Sequence, residues 1–259
     1  MGREDEVYAE ERQRVIVESA RSEGRVEVGS LALELGVTPE TVRRDLTHLE
    51  RRGMLRRTHG GAVPVENLVF EREVAERIGR MVEEKHHIAK AALELLPEHG
   101  TVMLDAGTTT GSLAAMLPMD RDLTVVTNSI PIASTLAGNP SVTLFLTGGR
   151  VRARTLASVG ENATGFVKSL TPDIVFSAAN GISLAKGLTT PDMAEANVKR
   201  AMISVARKVV LLADHSKFGE EHFVRFAAIS EVDMIVTDRG LSRDEAAAYE
   251  ESGPEVMRV

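Results

Sequence analysis

Leu35-Gly36-Val37-Thr38-Pro39-Glu40-Thr41-Val42-Arg43-Arg44-Asp45-Leu46-Thr47-His48-Leu49-Glu50 is the stretch on which the reading of the amino-terminal part of the chain turns. Thr38-Pro39-Glu40 is a strong helix start. Threonine is a good N-cap, proline is favoured at the first helical position, and Glu40 complements the helix dipole. The helix this predicts runs to about Arg52 and stops at Gly53. Val42, Leu46 and Leu49 fall at i, i+4 and i+7 and form an inward face, so Arg43 and Arg44 project away from it.

Working outward, Val28–Leu35 reads as a short helix ended by Gly36, and Arg12–Ala20 as an earlier helix with its apolar residues on one face. Two helices joined by the tight Gly36-Val37-Thr38 turn make a helix-turn-helix. Downstream, Met54–Val63 predicts a small β-wing turning at His59-Gly60-Gly61. In such a unit the second helix enters the major groove of DNA with its first residues nearest the bases. Thr38, Glu40, Thr41, Arg43 and Arg44 therefore stand as base readers. Arg51, Arg52, Arg56 and Arg57, with His59 of the wing, are placed for the phosphate backbone.

Net charge is −7 over 259 residues, which looks unfavourable for a DNA binder. The distribution answers this. Thr41–Arg57 holds six arginines against Asp45 and Glu50, a local surplus of positive charge on an otherwise acidic chain. Phosphate contacts act within about a Debye length, ~8–10 Å, so the local balance decides.

There is no cysteine, which excludes disulfides, thiolate nucleophiles and thiolate zinc sites. Aromatic residues are 3% of the chain, so the cores must rest on aliphatic side chains. No apolar run approaches the ~20 residues of a membrane span, and Met1–Glu11 is too acidic for a secretory signal; a cytoplasmic protein is expected.

After a linker including Pro64–Leu68, Glu71–Leu96 reads as mostly helical. Short apolar runs then alternate with helical stretches. The runs are Thr101–Leu104, Leu123–Val126, Val142–Leu146, Ile174–Phe176, Val209–Leu212 and Met234–Val236; the helices include Gly111–Leu117, Ile130–Leu136 and Met193–Ala206. That is the pattern of an α/β domain with a parallel sheet. The expected organisation is a winged helix-turn-helix at 1–63, a linker at 64–77 and an α/β effector domain at 78–259.

Three loops follow predicted strands. Asp105-Ala106-Gly107-Thr108-Thr109-Thr110-Gly111 opens a helix, and its glycines, hydroxyls and free N–H groups suit a phosphate. It is neither a P-loop nor a dinucleotide fingerprint. Thr127-Asn128-Ser129 and Thr147-Gly148-Gly149 end the next two strands. Ligands bind at strand carboxyl ends in open parallel sheets, so these loops form one composite site.

The ordered motifs Leu31-Ala32-x-x-Leu35-Gly36-Val37-Thr38, Thr41-Val42-Arg43-Arg44-Asp45-Leu46, Leu49-Glu50 and Arg57-x-His59-Gly60-Gly61-Ala62 resemble the signature of the DeoR family of bacterial regulators. The resemblance continues through the second domain and covers nearly the whole chain from about Arg12. It implies a winged-helix repressor of a sugar or carbohydrate operon. Its carboxyl-terminal domain, similar to the sugar-phosphate isomerase and CoA-transferase superfamily, is relieved by a phosphorylated sugar. It also implies a homodimer or tetramer on operator DNA. To the site it adds Asn180 and Gly181, Glu195 and Lys199 one helical turn apart, and Asp214 with Lys217, which would neutralise a phosphate. Ala106 departs from the Cys or Ser often found at its position.

The competing reading is an isomerase-like enzyme with a fused DNA-binding domain, with Asp105, Glu195 and Lys199 as acid–base groups. The related isomerases carry a carboxylate-rich loop where this chain has Ser177-Ala178-Ala179-Asn180-Gly181. Moving a proton between carbons requires a positioned base. Binding without turnover is therefore the expectation, with no catalytic residue, metal or cofactor. His86 and His87 are adjacent and diverge by about 100° on a helix.

Overall fold

The structure is a computed structural model that describes residues 3–23, 25–52, 54–58, 60–64 and 71–259. It divides into two compact units, Met1–Asn67 and Leu68–Val259. Gly53, His59 and residues 65–70 of the expected linker lie outside the described residues, as does the side chain of Arg56. No helix among the described residues is long and apolar enough to cross a membrane.

The first unit comprises α1 (Arg3–Glu23), β1 (Val26–Glu27), α2 (Val28–Glu34), α3 (Pro39–Arg51), β2 (Leu55–Thr58) and β3 (Gly61–Pro64). Helix α1 is longer than the apolar pattern of Arg12–Ala20 predicts. Gly36, with φ +63°, makes the turn between α2 and α3, a backbone conformation that glycine adopts without a steric penalty. β2 and β3 form the expected wing, and β1 joins β3 to give the order β1-β3-β2. Two-residue β1 has no sequence signal of its own; its pairing with Gly61 and Ala62 creates it. Ile16 of α1, Leu31 of α2, Val42, Leu46 and Leu49 of α3 and Leu55 of β2 are buried together. Each such side chain contributes roughly 1.5–3 kcal/mol by leaving water.

The second unit begins with two helices, α4 (Val74–Ile78) and α5 (Val82–Leu93). Then follow β4 (His99–Leu104), α6 (Thr108–Ala115), β5 (Asp122–Thr127), α7 (Ile130–Leu136) and β6 (Val142–Leu146). A small hairpin, β7 (Arg150–Val151) and β8 (Ser158–Val159), leads into α8 (Glu161–Lys168) and β9 (Ile174–Ser177). After β10 (Gly181–Ser183) and β11 (Gly187–Thr190) come α9 (Met193–Val205), β12 (Val209–Leu212) and β13 (Val224–Ala227). The chain ends with β14 (Met234–Thr237), α10 (Arg243–Glu250) and β15 (Glu255–Arg258).

Seven strands pair in the order β15-β14-β12-β9-β4-β5-β6, every pair parallel. The central strands β14, β12 and β9 are buried on both faces, which is why they read as apolar runs, whereas the edge strands β6 and β15 are partly exposed. Met103, Val175, Leu211 and Ile235 pack on one face with α8 and α9. Leu104, Phe176, Leu212 and Val236 pack on the other against Ile88, Leu113 and Ile132 of α5, α6 and α7. From β4 the chain steps outward through β5 and β6, then returns to β9 on the other flank of β4. The strand order therefore reverses between β4 and β9. In an open α/β sheet a crevice forms at that switch point, beyond the strand carboxyl ends.

Candidate functional site

In the first unit, Thr38 caps α3 by accepting a bond from the Thr41 amide at 3.2 Å. Thr38, Glu40, Arg43, Arg44, Arg51, Arg52 and Arg57 are exposed and Thr41 half-buried, so the outward face predicted for α3 is available to a partner. The same face also presents His48, which the sequence reading passed over. Arg43 is steadied by Glu40 at 2.7 Å. Arg57 is drawn from the wing toward the helix: its guanidinium donates to Thr47 Oγ1 at 3.1 Å and its amide to Glu50 at 3.0 Å. Asp45 faces inward. Its carboxylate accepts Arg12 Nε at 2.6 Å and Gln13 Nε2 at 2.9 Å, fixing the reading helix against α1.

In the second unit, the loops after β4 and β9 meet at the switch point. Gly107 permits this: a Cβ there would lie 2.8 Å from the Ala178 methyl, so only glycine lets the loops after β4 and β9 approach so closely. Asp105, fully buried, directly follows β4. Its Oδ2 accepts Lys199 Nζ at 2.6 Å, the Ala178 amide at 3.0 Å and the Ser177 hydroxyl at 3.2 Å. Lys199 also donates to the Ala178 carbonyl at 2.9 Å and lies 5.6 Å from the centre of the Phe226 ring. Asp105 Oδ1 is buried with no hydrogen-bond partner among the described residues. A buried acceptor left unmet costs about 1–3 kcal/mol, so it is poised for a donor such as a hydroxyl.

Several predicted ligand residues have work inside the loops themselves. Thr110 Oγ1 donates to the Asp105 carbonyl at 2.7 Å, and Thr127 Oγ1 to the Leu104 carbonyl at 2.7 Å. Asn128 Oδ1 receives the Ala106 amide at 2.8 Å, and Ser129 caps α7. These residues shape the crevice. Thr108, Gly107 and Asn180 are half-buried and Gly148 and Gly149 exposed, while Thr109 and Gly181 are buried.

Glu195 and Lys199, one helical turn apart on α9, are both buried and have different partners. Arg152, unremarked in the sequence, holds Glu195 through Nη1 at 2.5 Å, Asp192 through Nε at 3.2 Å and Glu71 through Nη2 at 3.0 Å. Thr155 also donates to Glu195, and Asn180 Nδ2 to Glu71 at 3.3 Å. Burial holds the Glu71 carboxyl above the usual carboxylate range; Glu195 adds to this and Arg152 opposes it. The carboxylates of Asp105, Glu71 and Glu195 are thus all engaged by cations of the chain.

A cationic cluster adjoins the crevice. Lys217 follows β12 in a single turn whose start is capped by Asp214, which accepts the Ser216 amide at 3.1 Å. Burial lowers the Lys217 pKa and Arg77, Arg72 and Arg80 push the same way, against Asp214. Lys85, near the start of α5, donates to the carbonyls of Arg77 and Arg80. Burial brings its pKa to about 8, with Asp214 opposing and Lys217, Arg77 and Arg80 contributing. These donors brace the turn in which Met81 takes φ +50°, a conformation sparse for a residue with a side chain. Nothing in the sequence marked Lys85, Arg77 or Arg80, since no spacing links them to Lys217.

Comparison with known proteins agrees with both parts. Residues 12–67 match the DeoR-like helix-turn-helix domain, and residues 80–239 match the DeoR C terminal sensor domain. The chain is 40% identical to the HTH-type transcriptional regulator GlpR of Haloferax volcanii, covering 96% of this chain and 97% of that one. It is 33% identical to the glycerol-3-phosphate regulon repressor of Escherichia coli K12, over 88% and 90% of the two chains. A slight structural likeness extends to ribose 5 phosphate isomerase A of Neisseria gonorrhoeae, with TM-score 0.37 and 19% identity over 52% of each chain. With the helix-turn-helix match in the first unit and the sensor match in the second, the chain belongs to the DeoR family of transcriptional regulators.

Proposed function

We propose that this protein represses a sugar or polyol-phosphate catabolic operon and that a phosphorylated metabolite, bound at the switch point of the second unit, releases it from its operator. The observation that carries this reading is the cation cluster beside the crevice. Lys85 and Lys217 both feel the positive charge of Arg77 and Arg80, with Asp214 as the opposing charge acting on both lysines. A dianionic phosphate relieves that mutual repulsion. The crevice supplies the rest of a sugar phosphate's needs: the open acceptor Asp105 Oδ1, the half-buried Asn180 and Thr108, and backbone amides at the start of α6. The relatives' named regulation of a glycerol-phosphate regulon points to the same class of compound.

DNA reading falls to Arg43 and Arg44, with Arg51, Arg52, Arg56, Arg57 and His59 toward phosphates. A single recognition helix covers few base pairs, so a dimer or tetramer engages half-sites spaced by about one helical turn, roughly 34–36 Å, in the cytoplasm. Binding without turnover is favoured over isomerase chemistry, because the crevice carboxylates are already neutralised by Lys199 and Arg152. Two variants separate the activities. Arg43→Ala weakens operator binding and leaves sugar-phosphate binding unchanged; Lys217→Ala blunts sugar-phosphate binding and keeps operator binding. Loss of both activities in both variants contradicts the assignment, as does steady conversion of any sugar phosphate.

A further inference from the structure

We propose that strand β6 is a subunit interface of this protein: its outer edge pairs, antiparallel, with the same edge of a second copy about a two-fold axis, so that the sheet of one subunit runs on into the other. The pairing locates the association already proposed on operator DNA and rests on that reading; it does not depend on which effector the crevice takes.

The two edges of the seven-stranded sheet are β6 and β15, and they are treated differently. On β15 the amides of Glu255 and Val259 bond inward, to the carbonyls of Asp233 and Thr237. By alternation along a strand, Val256 and Arg258 turn their main-chain groups outward. The Val256 amide is met there by Glu250 Oε1 at 3.3 Å, and Glu255 and Arg258 place charges on the strand. Charges and covering groups are the usual means of closing an edge.

On β6 the Ser141 carbonyl and the Thr147 amide bond inward, to the Leu123 amide and the Thr127 carbonyl. The same alternation turns both main-chain groups of Leu144 and Leu146 away from β5. Among the described residues no loop or side chain bonds to those groups. The strand, Val142-Thr143-Leu144-Phe145-Leu146, carries no charge and no proline, and its register with β5 runs without a bulge. Such an edge is a template for another strand.

The strand that fits is its own copy. A two-fold axis makes the two strands antiparallel and presents the same patch on both. Centred on Leu144, the axis pairs every residue of β6: Leu144 with Leu144, Leu146 with Val142, and Phe145 with Thr143. The outward amides of Leu144 and Leu146 then meet the outward carbonyls of the second copy's Leu144 and Val142. The flanks complement one another as well. Beside the amino end of β6 stand exposed Met119, whose carbonyl receives the Ser141 hydroxyl, and exposed Asp120 and Asp122; Arg121 between them donates to the Leu96 carbonyl. Beside the carboxyl end stand Leu146, Arg150 and Val151, all exposed. Antiparallel pairing turns Met119 toward the second copy's Leu146 and Val151, and the two aspartates toward its Arg150. Asp120, Asp122 and Arg150 have no ion-pair partner among the described residues. Phe145, exposed at the edge with its ring 6.5 Å from that of Phe166, is covered by the same pairing.

The chain has no cysteine, so introduced ones report without background. Full-length Thr143→Cys and Phe145→Cys are expressed separately and together. Across the axis these positions form a non-hydrogen-bonded pair, with Cα atoms about 4.5 Å apart and within disulfide range. Two copies of either variant alone set no cysteine opposite another. The wild type is expected to sediment as a dimer or larger, and mild oxidation of the co-expressed pair to give a covalent dimer that neither variant gives alone. Thr143→Lys, at an exposed position, puts an ammonium on the edge and is expected to weaken association ~10-fold or more, with an unchanged far-ultraviolet circular dichroism spectrum and unchanged sugar-phosphate affinity. In an associated wild type, absence of the mixed cross-link, or wild-type association of Thr143→Lys, overturns the edge pairing and leaves the oligomer reading standing. A wild type that is monomeric both alone and on operator DNA selected from a random pool overturns both.

Discussion

Replacing Lys199 by methionine removes the ammonium and keeps the stem, and the consequence follows from the geometry. Lys199 and Asp105 have side chains 4% and 0% exposed, with 2.6 Å between charges. Taking away one partner of a buried pair costs about 3–5 kcal/mol, since the other charge stays in a medium that solvates it poorly. Asp105 keeps the Ala178 amide and the Ser177 hydroxyl, so the lower end of that range applies. The Ala178 carbonyl loses its donor, worth about 1 kcal/mol, while methionine preserves the packing near Phe226. The expected loss is about 3–4 kcal/mol, a fall of about 10 °C in the melting temperature of a unit of roughly 190 residues. Adding Asp105→Asn removes the stranded charge and recovers about 1–2 kcal/mol, so the two substitutions are non-additive. Urea unfolding followed by circular dichroism measures all four members of the cycle. A loss below about 1 kcal/mol for Lys199→Met, or simple additivity, refutes the reasoning.

Other outcomes follow from the same structure. Asp45→Ala strips Arg12 and Gln13 of their acceptor and should destabilise the first unit by about 2–3 kcal/mol, weakening operator binding without touching sugar-phosphate affinity; wild-type unfolding of that unit contradicts this. Lys85, lowered to about 8 in the folded protein, holds fewer protons than in the unfolded chain between about pH 8 and its ordinary value of 10.5. The unfolded state binds more protons in that window, so stability gains from this group as pH rises through it. A bound phosphate favours the charged lysine, so sugar-phosphate affinity should fall above about pH 8, by up to ~10-fold per pH unit, with proton uptake on binding. Calorimetry at pH 7 and 9.5 in two buffers measures both; equal affinities sink the role given to Lys85.

The amino-terminal unit was readable because its signals are local. A cap, a proline, a glycine turn and an i, i+4, i+7 apolar face sit within fifteen residues and need no distant partner. The sheet was readable for a related reason: strands buried on both faces must be apolar throughout. β15 escaped, since its Glu255 and Arg258 break the apolar run and an edge strand tolerates them. The loops of the site were visible as glycine and hydroxyl clusters at strand ends, but their inner workings were not. Thr110, Thr127 and Asn128 carry the residue types of a ligand site and spend their hydrogen bonds on the loops. Arg152 meets Glu195 across 43 positions and Glu71 across 81, distances at which a lone arginine carries no pattern. Glu195 and Lys199, one helical turn apart, each have a separate buried partner, which their spacing alone does not show.

One titration tests the coupling of effector to operator most directly. Full-length protein is added to its selected operator DNA, with binding read by fluorescence anisotropy in the absence and presence of saturating sugar phosphates. At least one of them is expected to lower operator affinity by about 10-fold or more, within the ~5–150-fold typical of coupled sites, and Lys217→Ala to abolish the shift while leaving ligand-free operator affinity intact. Operator affinity unmoved by every sugar phosphate, in a protein that binds its operator normally, contradicts that coupling.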